Sequence, residues 1–252
     1  MNQPLRVATY NIHKGFSLFK RRMVIHELRE KLRTLHADLV FLQEVLGDHQ
    51  RHAARHQDWP AEPQYEFLAD AVWPGYAYGR NAVSDAGHHG NAILSRFPIA
   101  RWDNQDVSAH RFERRGLLHC EIEVPRWPQR LHCICVHLGL FARGRSRQME
   151  WLRQRIETLV PASSPLIVAG DFNDWHWRHK ASHELAQPLD MHEVFELIHG
   201  VPARSFPAAL PLFRLDRIYV RGFRVTYAHA HRGEAWARMS DHVALTTVLE
   251  RL

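Results

Sequence analysis

Cysteine is scarce in this chain: Cys120, Cys133 and Cys135 are the only three among 252 residues. An odd number with no C-x-x-C pair excludes a disulfide framework and a zinc knuckle. Cys133 and Cys135, two residues apart, fall on one face of a strand as small buried apolar groups. Lysine is nearly as rare. Lys14, Lys20, Lys31 and Lys180 are the four, so the net charge of +6 is carried by arginine. Arginine binds phosphate bidentately, which suits a phosphate-bearing substrate, although a genomic bias toward arginine codons explains the count equally well. No stretch approaches the roughly 18 consecutive apolar residues of a membrane-spanning helix. No basic segment leading into an apolar one follows Met1, so a secretory signal is not expected and a cytoplasmic location is. The 13 glycines and 13 prolines are dispersed, which excludes a low-complexity or collagen-like chain.

What is present is the composition of a soluble globular protein, 45% hydrophobic and 24% charged. Twenty histidines are unusual, and most must be surface or satisfied core residues. Leu5 to Tyr10 reads as a strand ending at Asn11. Ile25, Leu28, Leu32 and Leu35 recur at helical spacing and predict a helix over about 20–36. Asp38 to Leu42 is a short apolar strand, so the chain opens as a βαβ-like unit with a buried sheet. Residues 47–63 read as a loop or polar helix. Further strands are predicted at Asn91–Leu94, Arg115–Val124, Leu131–His137 and Leu166–Ala169, and near 215–220, 222–229 and 243–249. Met149, Leu152, Ile156 and Leu159 mark a second amphipathic helix. No repeat, linker or change of composition divides the chain, which predicts one domain over 1–252. Mixed βαβ and antiparallel units point to packed sheets with helices outside rather than a purely parallel sheet.

Polar residues with chemical capacity recur at the ends of these apolar strands. Asn11 follows the first, Gln43-Glu44 the second, His137 ends another, and Gly170-Asp171-Phe172-Asn173 follows Leu166–Ala169. Asp216 opens Asp216–Val220, and Ser240-Asp241-His242 precedes the last strand. Each alone has a plain reading: Asn11, Asp171 and Asp241 as turn formers, and Asp216 as a partner of Arg217. Together Glu44, Asp171, Asp216 and Asp241 with Asn11 and Asn173 form an oxygen-rich set without thiolates. Such hard ligands suit Mg²⁺ or Mn²⁺ rather than zinc. His137 and His242 add groups that titrate or donate near neutral pH. Metal, carboxylate and histidine are the parts of phosphodiester hydrolysis.

The series Thr9-Tyr10-Asn11-Ile12, Leu42-Gln43-Glu44-Val45, Gly170-Asp171-Phe172-Asn173, Leu215-Asp216-Arg217-Ile218 and Ser240-Asp241-His242 resembles the endonuclease/exonuclease/phosphatase superfamily. The stretch Gly90-Asn91-Ala92-Ile93-Leu94-Ser95-Arg96-Phe97-Pro98-Ile99 is similar to one common in its bacterial members. The resemblance implies an α/β fold, a four-layer α/β/β/α sandwich of two mixed sheets packed face to face with helices outside. It implies a divalent-metal phosphoesterase using Mg²⁺ or Mn²⁺. Residue by residue, it makes Glu44, Asp241 and Asn11 the metal-side ligands, and His137, Asp171, Asn173, Asp216 and His242 the catalytic groups. Asn11, Asn91 and Arg143 would face the substrate. The formal base is Asp171 or His242. His13, where abasic-site endonucleases carry an acid, argues against that specificity. No counterpart is evident of the glutamate that pairs with the first histidine in deoxyribonuclease I. Arg143, Arg145 and Arg147 grip a substrate phosphate or form a solvated helix start.

The leading expectation is hydrolysis of a phosphodiester, in nucleic acid or a phospholipid head group. The alternatives are a phosphatase or phospholipase-C-like enzyme on inositol-phosphate or lipid head groups, and a non-catalytic basic binding module. Retention of an acidic cluster opposes the last, since binding to polyanions needs arginines and not carboxylates. The basic and aromatic segment 47–63 and Gly87-His88-His89-Gly90 are candidate cleft walls.

Overall fold

The computed structural model describes residues 3–17, 22–110, 113–175 and 186–252. In chain order its strands are β1 (Leu5–Asn11), β2 (Leu39–His49), β3 (Gly75–Ser84), β4 (Gly87–Ser95), β5 (Ile99–Asp106), β6 (Gly116–Ile122), β7 (Leu131–His137), β8 (Leu166–Asp171), β9 (His192–Glu193), β10 (Asp216–Arg221), β11 (Phe223–His231) and β12 (Ala244–Arg251). The helices are α1 (Ile25–Thr34), α2 (Gln50–Arg55), α3 (Gln64–Ala69), α4 (Ala142–Leu159), α5 (Val194–His199) and α6 (Glu234–Ala237). The first predicted helix is therefore shorter than expected, and residues 20 and 21 lie outside the described part. No helix among the described residues is long and apolar enough to cross a membrane.

The strands form two six-stranded mixed sheets, ordered β11-β12-β1-β2-β4-β3 and β5-β6-β7-β8-β10-β9. Period-two alternation assigns each strand two faces. Val7, Leu39, Phe41 and Ile93 of one sheet meet Cys133, Cys135, Ile167, Ala169 and Ile218 of the other in a shared core. The opposite face of the first sheet, with Ala8, Tyr10, Val40 and Leu42, packs against Leu28 and Leu32 of α1 and Leu68 of α3. The outer face of the second sheet, with Ile134, Val136 and Val168, packs against Met149, Leu152 and Ile156 of α4. Helix, sheet, sheet and helix make the four layers expected. All three cysteines are buried free thiols between the sheets, where burial raises their pKa.

Continuing the same alternation beyond the apolar positions locates the polar ones. Val7 and Thr9 lead to Asn11, Leu39 and Phe41 to Gln43, Cys133 and Cys135 to His137, Ile167 and Ala169 to Asp171, and Val220 and Ile218 back to Asp216. β1 and β2 run parallel, as do β7 and β8, while β10 is antiparallel to β8 and β12 to β1. The ends of β1, β7 and β8 and the middle of β2, where Gln43 pairs with Asn11, thus share one edge of the sandwich with the starts of β10 and β12. The inter-sheet layer is apolar along its length and polar at that end.

One glycine is required there. Gly170 has φ +147°, and a Cβ on it would lie 1.9 Å from the Val136 carbonyl of the adjacent parallel strand. Gly170→Ala must therefore push β8 from β7 directly beneath Asp171. We expect a loss of about 2 kcal/mol or more. In a domain of this size that corresponds to about 4 °C or more in Tm, measurable by calorimetry. An unchanged Tm would mean that the strand spacing is not tight at this point.

Candidate active site

Asp171, at the end of β8, is buried and forms the hub of the polar end. Its Oδ1 accepts from the backbone N–H of Asn173 (2.9 Å), and its Oδ2 accepts from Asn11 Nδ2 (3.2 Å). The same Oδ2 lies 3.6 Å from His137 Nε2 and 3.7 Å from His242 Nε2. His242 Nδ1 donates to Asp216 Oδ2 at 2.8 Å, which fixes its ring with Nε2 turned toward Asp171. The Phe206 ring packs on the other side of His242 at 5.0 Å. Asn173 anchors itself by donating from Nδ2 to the Leu138 carbonyl at 2.9 Å. Ser240 ties the two halves together. Its hydroxyl donates to the Asn11 carbonyl (2.7 Å) and accepts from the His242 N–H (3.2 Å).

Glu44 reaches this cluster by a break in its strand. Between Leu42 and Val45 two residues of β2 face one of β4, a β-bulge, and Glu44 takes φ +55°. The extra residue leaves Gln43 between the sheets, donating to Thr9 Oγ1 (3.3 Å) and Cys135 Sγ (3.2 Å). It turns Glu44 outward toward Asn11 Nδ2 (3.5 Å) and Lys14 Nζ (3.8 Å). Asp241, on the loop before β12, faces His13 Nδ1 at 3.5 Å. Glu44, Asp171, Asp216, Asp241, Asn11, Asn173, His137 and His242 accordingly meet at one end of the sandwich. Asp171, Asp216 and His242 are the tightest of them, with one donor atom each within 4.8 Å of the others.

Two further residues expected to face the substrate, Asn91 and Arg143, make no hydrogen bond to these groups among the described residues. Asn91 is fully buried opposite the bulge. Its Nδ2 donates to the carbonyls of Gly116 (3.1 Å) and Cys135 (3.4 Å), so it ties β4 to the second sheet. Arg143 is exposed on the first turn of α4. Of its two arginine neighbours, Arg145 is buried and donates to the Gly139 and Leu140 carbonyls, shaping the loop after His137.

Several residues of the site were not singled out from the sequence. Lys14 places an ammonium beside Glu44. Gln64 in α3 accepts from the Leu46 N–H and donates to the Lys14 carbonyl, pinning the His13–Gly15 turn against the bulged strand. Glu113 accepts from Leu140 N–H (2.9 Å) and from Arg115, whose Nε donates to the Leu138 carbonyl (3.1 Å). Lys14 could have been suspected from its place three residues past Asn11. Gln64 could not, since nothing local distinguishes it from a surface glutamine.

The electrostatics follow from burial and like and unlike charges. Burial raises the Asp171 pKa to about 7, the nearby Asp216 charge adding to it and His242 opposing. Burial works against the His242 proton, but Asp216 and then Asp171 more than reverse it and raise its pKa to about 10. His137 is held well below its usual value by burial and by Arg115. Burial would raise Glu44, yet His137, Lys14, His13 and His242 together lower it to about 2. At neutral pH these shifts favour an imidazolium at His242, a neutral imidazole at His137 and an ionised Glu44, with the Asp171 pKa raised by its burial.

His242 has a folded pKa of about 10, above the value near 6.5 of an unfolded chain. Its pairing therefore stabilises the metal-free fold fully below about pH 6.5, and that contribution is lost as the pH rises toward 10. Asp216→Asn removes the nearest counter-charge, so the His242 midpoint should fall by at least about one unit. The imidazole proton resonance followed by NMR against pH measures this. A midpoint unmoved by the substitution would mean that Asp216 does not hold the proton.

The profile of the Endonuclease/Exonuclease/phosphatase family matches residues 8–242. The chain is 47% identical over 241 residues to the uncharacterized protein YbhP of Escherichia coli K12, covering 96% of this chain and 94% of that protein. Among solved structures it is similar to an endonuclease/exonuclease/phosphatase from Beutenbergia cavernae, with a TM-score of 0.76 at 18% identity, covering 99% of this chain and 72% of that one. It is also similar to D. rerio TDP2 complexed with single-strand DNA product, with a TM-score of 0.69 at 16% identity, covering 99% and 100%. These structural likenesses carry the fold, and the profile match over nearly the whole chain carries the family: the protein belongs to the Endonuclease/Exonuclease/phosphatase family.

Proposed function

We propose that the protein is a divalent-metal-dependent phosphodiesterase, with nucleic acid as its favoured substrate class. The observation that carries this reading is Asp171: one buried carboxylate, oriented by Asn11 and Asn173, lies under 4 Å from two histidines of opposite protonation preference. Perturbed titratable groups gathered at the mouth of a rigid scaffold are the usual mark of catalysis. A binding module for polyanions has no use for them.

The metal-side residues would be Glu44, Asp241 and Asn11. The donor chemistry fits: neighbouring cations hold the Glu44 pKa down to about 2, and among the described residues its hydrogen-bond and ion-pair partners are the Asn11 amide at 3.5 Å and the Lys14 ammonium at 3.8 Å. Asp241 is one-fifth exposed and reachable from the cleft. The tighter Asp171/Asp216/His242 group is less suited, because His242 Nδ1 is already given to Asp216. Bound there, Mg²⁺ or Mn²⁺ would neutralise a phosphate oxygen and acidify water. The chain's own groups do the rest. The His242 imidazolium, held charged by Asp216, donates from Nε2 to a phosphate oxygen. Asn173 and Asn11 orient water against Asp171, whose pKa of about 7 suits a base at neutral pH. As the water oxygen bonds phosphorus and the ester P–O bond breaks, the water proton passes to Asp171, and the departing oxygen keeps the bonding pair and leaves as the alcohol by taking a proton from solvent water.

Several features support nucleic acid. The chain is basic, and one structural neighbour was solved with a single-strand DNA product. Beyond the bulge, Phe16, His52, His56 and Trp59 form a cluster of rings, with His52 stacked on Trp59 at 5.2 Å. Rings beside a phosphate site can stack bases.

Purified protein with Mg²⁺ or Mn²⁺ should hydrolyse bis-p-nitrophenyl phosphate and single-stranded DNA. Asp171→Asn and His242→Ala should each lower kcat by about 10²-fold or more. Glu44→Gln should chiefly raise the metal concentration needed for half-maximal rate. On DNA, log kcat/KM should fall with log salt by a slope of about −0.9 for each phosphate contacted in a duplex and about −0.7 in a single strand. Metal-independent turnover would overturn the mechanism. Turnover confined to p-nitrophenyl phosphate or to phospholipid head groups would overturn the substrate class.

A further inference from the structure

Outside the catalytic cluster the protein has a cavity of about 730 Å³ between α5, the end of β11 and the segment leading into β10. Its charged and titratable lining is all of one kind: Arg204, Arg214 and Arg232, with His199 and His229, and no Asp or Glu. Phe195 and Ala228 form part of its apolar floor, both buried.

Two of these side chains are held in place, while Arg204, Arg232 and His229 are exposed at the rim. Arg214 is half-buried, and its Nε donates to the Pro202 carbonyl at 3.0 Å, which leaves the outer guanidinium nitrogens for the cavity. His199 Nε2 donates to the Ala228 carbonyl at 2.9 Å. Arg214 feels the repulsion of Arg204 and Arg217 on top of its burial, and its pKa is lowered accordingly. Like charges gathered beside an apolar floor are destabilising unless an anion offsets them.

The cavity also shares a wall with the catalytic centre. Ser205, next to Arg204, accepts from the Asp216 N–H through its hydroxyl (3.1 Å) and from the Val243 N–H through its carbonyl (2.8 Å). Arg214 is two residues before Asp216. One short segment therefore carries the arginines on one side and supports Asp216 and His242 on the other.

We infer that this cavity is a second anion site, one that binds a phosphate group through Arg204, Arg214 and Arg232. Planar guanidinium forks match phosphate oxygens bidentately. The occupant is either a neighbouring phosphate of the substrate or a separate phosphate-bearing ligand. The first case rests on the phosphodiesterase reading above. The second does not.

Binding is measured first, without divalent metal and without turnover, by calorimetric titration with inorganic pyrophosphate. Wild type should bind saturably. The double variant Arg204→Gln/Arg214→Gln should bind at least about tenfold more weakly, the scale of losing charge-assisted hydrogen bonds. Arg232→Gln, on an exposed residue after β11, gives a single substitution with the same expected direction if the double variant unfolds on a melting curve. Equal binding by wild type and both arginine variants, or no saturable binding by wild type, overturns the proposal.

Kinetics then separate the two sources. A tenfold rise in KM for a 5′-phosphorylated dinucleotide, with bis-p-nitrophenyl phosphate turnover unchanged, assigns the site to a substrate phosphate. Weakened pyrophosphate binding with both KM values unchanged assigns it to a separate ligand. If wild type binds pyrophosphate at the arginines but hydrolyses no phosphodiester, the phosphodiesterase reading fails and the anion site stands.

Discussion

The structure depends on one constraint: six strands must bring the polar continuation of their inward faces to the same end of the sandwich. Along most of each strand the inward positions are apolar, because the two sheets bury them against each other. At the edge shared by the ends of β1, β7 and β8, the middle of β2 and the starts of β10 and β12, the same positions become Asn11, Gln43, His137, Asp171 and Asp216, with His242 just before β12. The scaffold and the site are therefore one object. Displacing a strand enough to repack the core would move a functional side chain with it.

Bringing two carboxylates and two imidazoles out of water is costly unless they satisfy one another. The arrangement meets that demand with few parts. Asp216 holds the His242 proton, Asn11 and Asn173 occupy the two oxygens of Asp171, and Ser240 links β1 to the loop before β12. Because Asp171, Asp216 and His242 lie this close together, their protonation states are set jointly. The same burial that makes an isolated charge expensive raises the Asp171 pKa, while the carboxylates of Asp216 and Asp171 keep His242 charged against it. That division of roles is what an acid–base site needs.

Backbone conformation carries a further cost. Glu44, Asn173, His13 and Lys14 all take positive φ, and all four belong to the site or its rim. Left-handed conformations at residues other than glycine persist only where surrounding contacts hold them. Here the contacts are the β2 bulge, the Asp171 hydrogen bond to Asn173, and the bridge from Gln64 to the turn that carries Lys14.

How far these features were legible depended on the range of the physics behind them. Apolar alternation and helical spacing are local, so β1, β7, β8, α1 and the main part of α4 could be read directly, and the recurring motifs pointed to the family and its candidate residues. β3 and β5 were not anticipated. Each is the edge strand of its sheet and lacks a second partner to demand a clear apolar pattern. Segment 47–63 was expected to be a loop or polar helix, yet β2 runs on to His49 before α2 begins, because pairing with β4 extends it. Asn91 carried a motif but no hint that its amide nitrogen is bonded between the sheets. The contacts that define the site join Asn11 to Asp171 across 160 residues and Ser240 to Asn11 across 229. The chain alone dictates which residues alternate, where polar groups end each strand and which family pattern they follow. Which strand ends coincide, how a bulge turns Glu44 outward, and what proton each buried group keeps are decided only by pairing and burial between distant segments, since neither a hydrogen-bond register nor a local dielectric exists until the sheets have met.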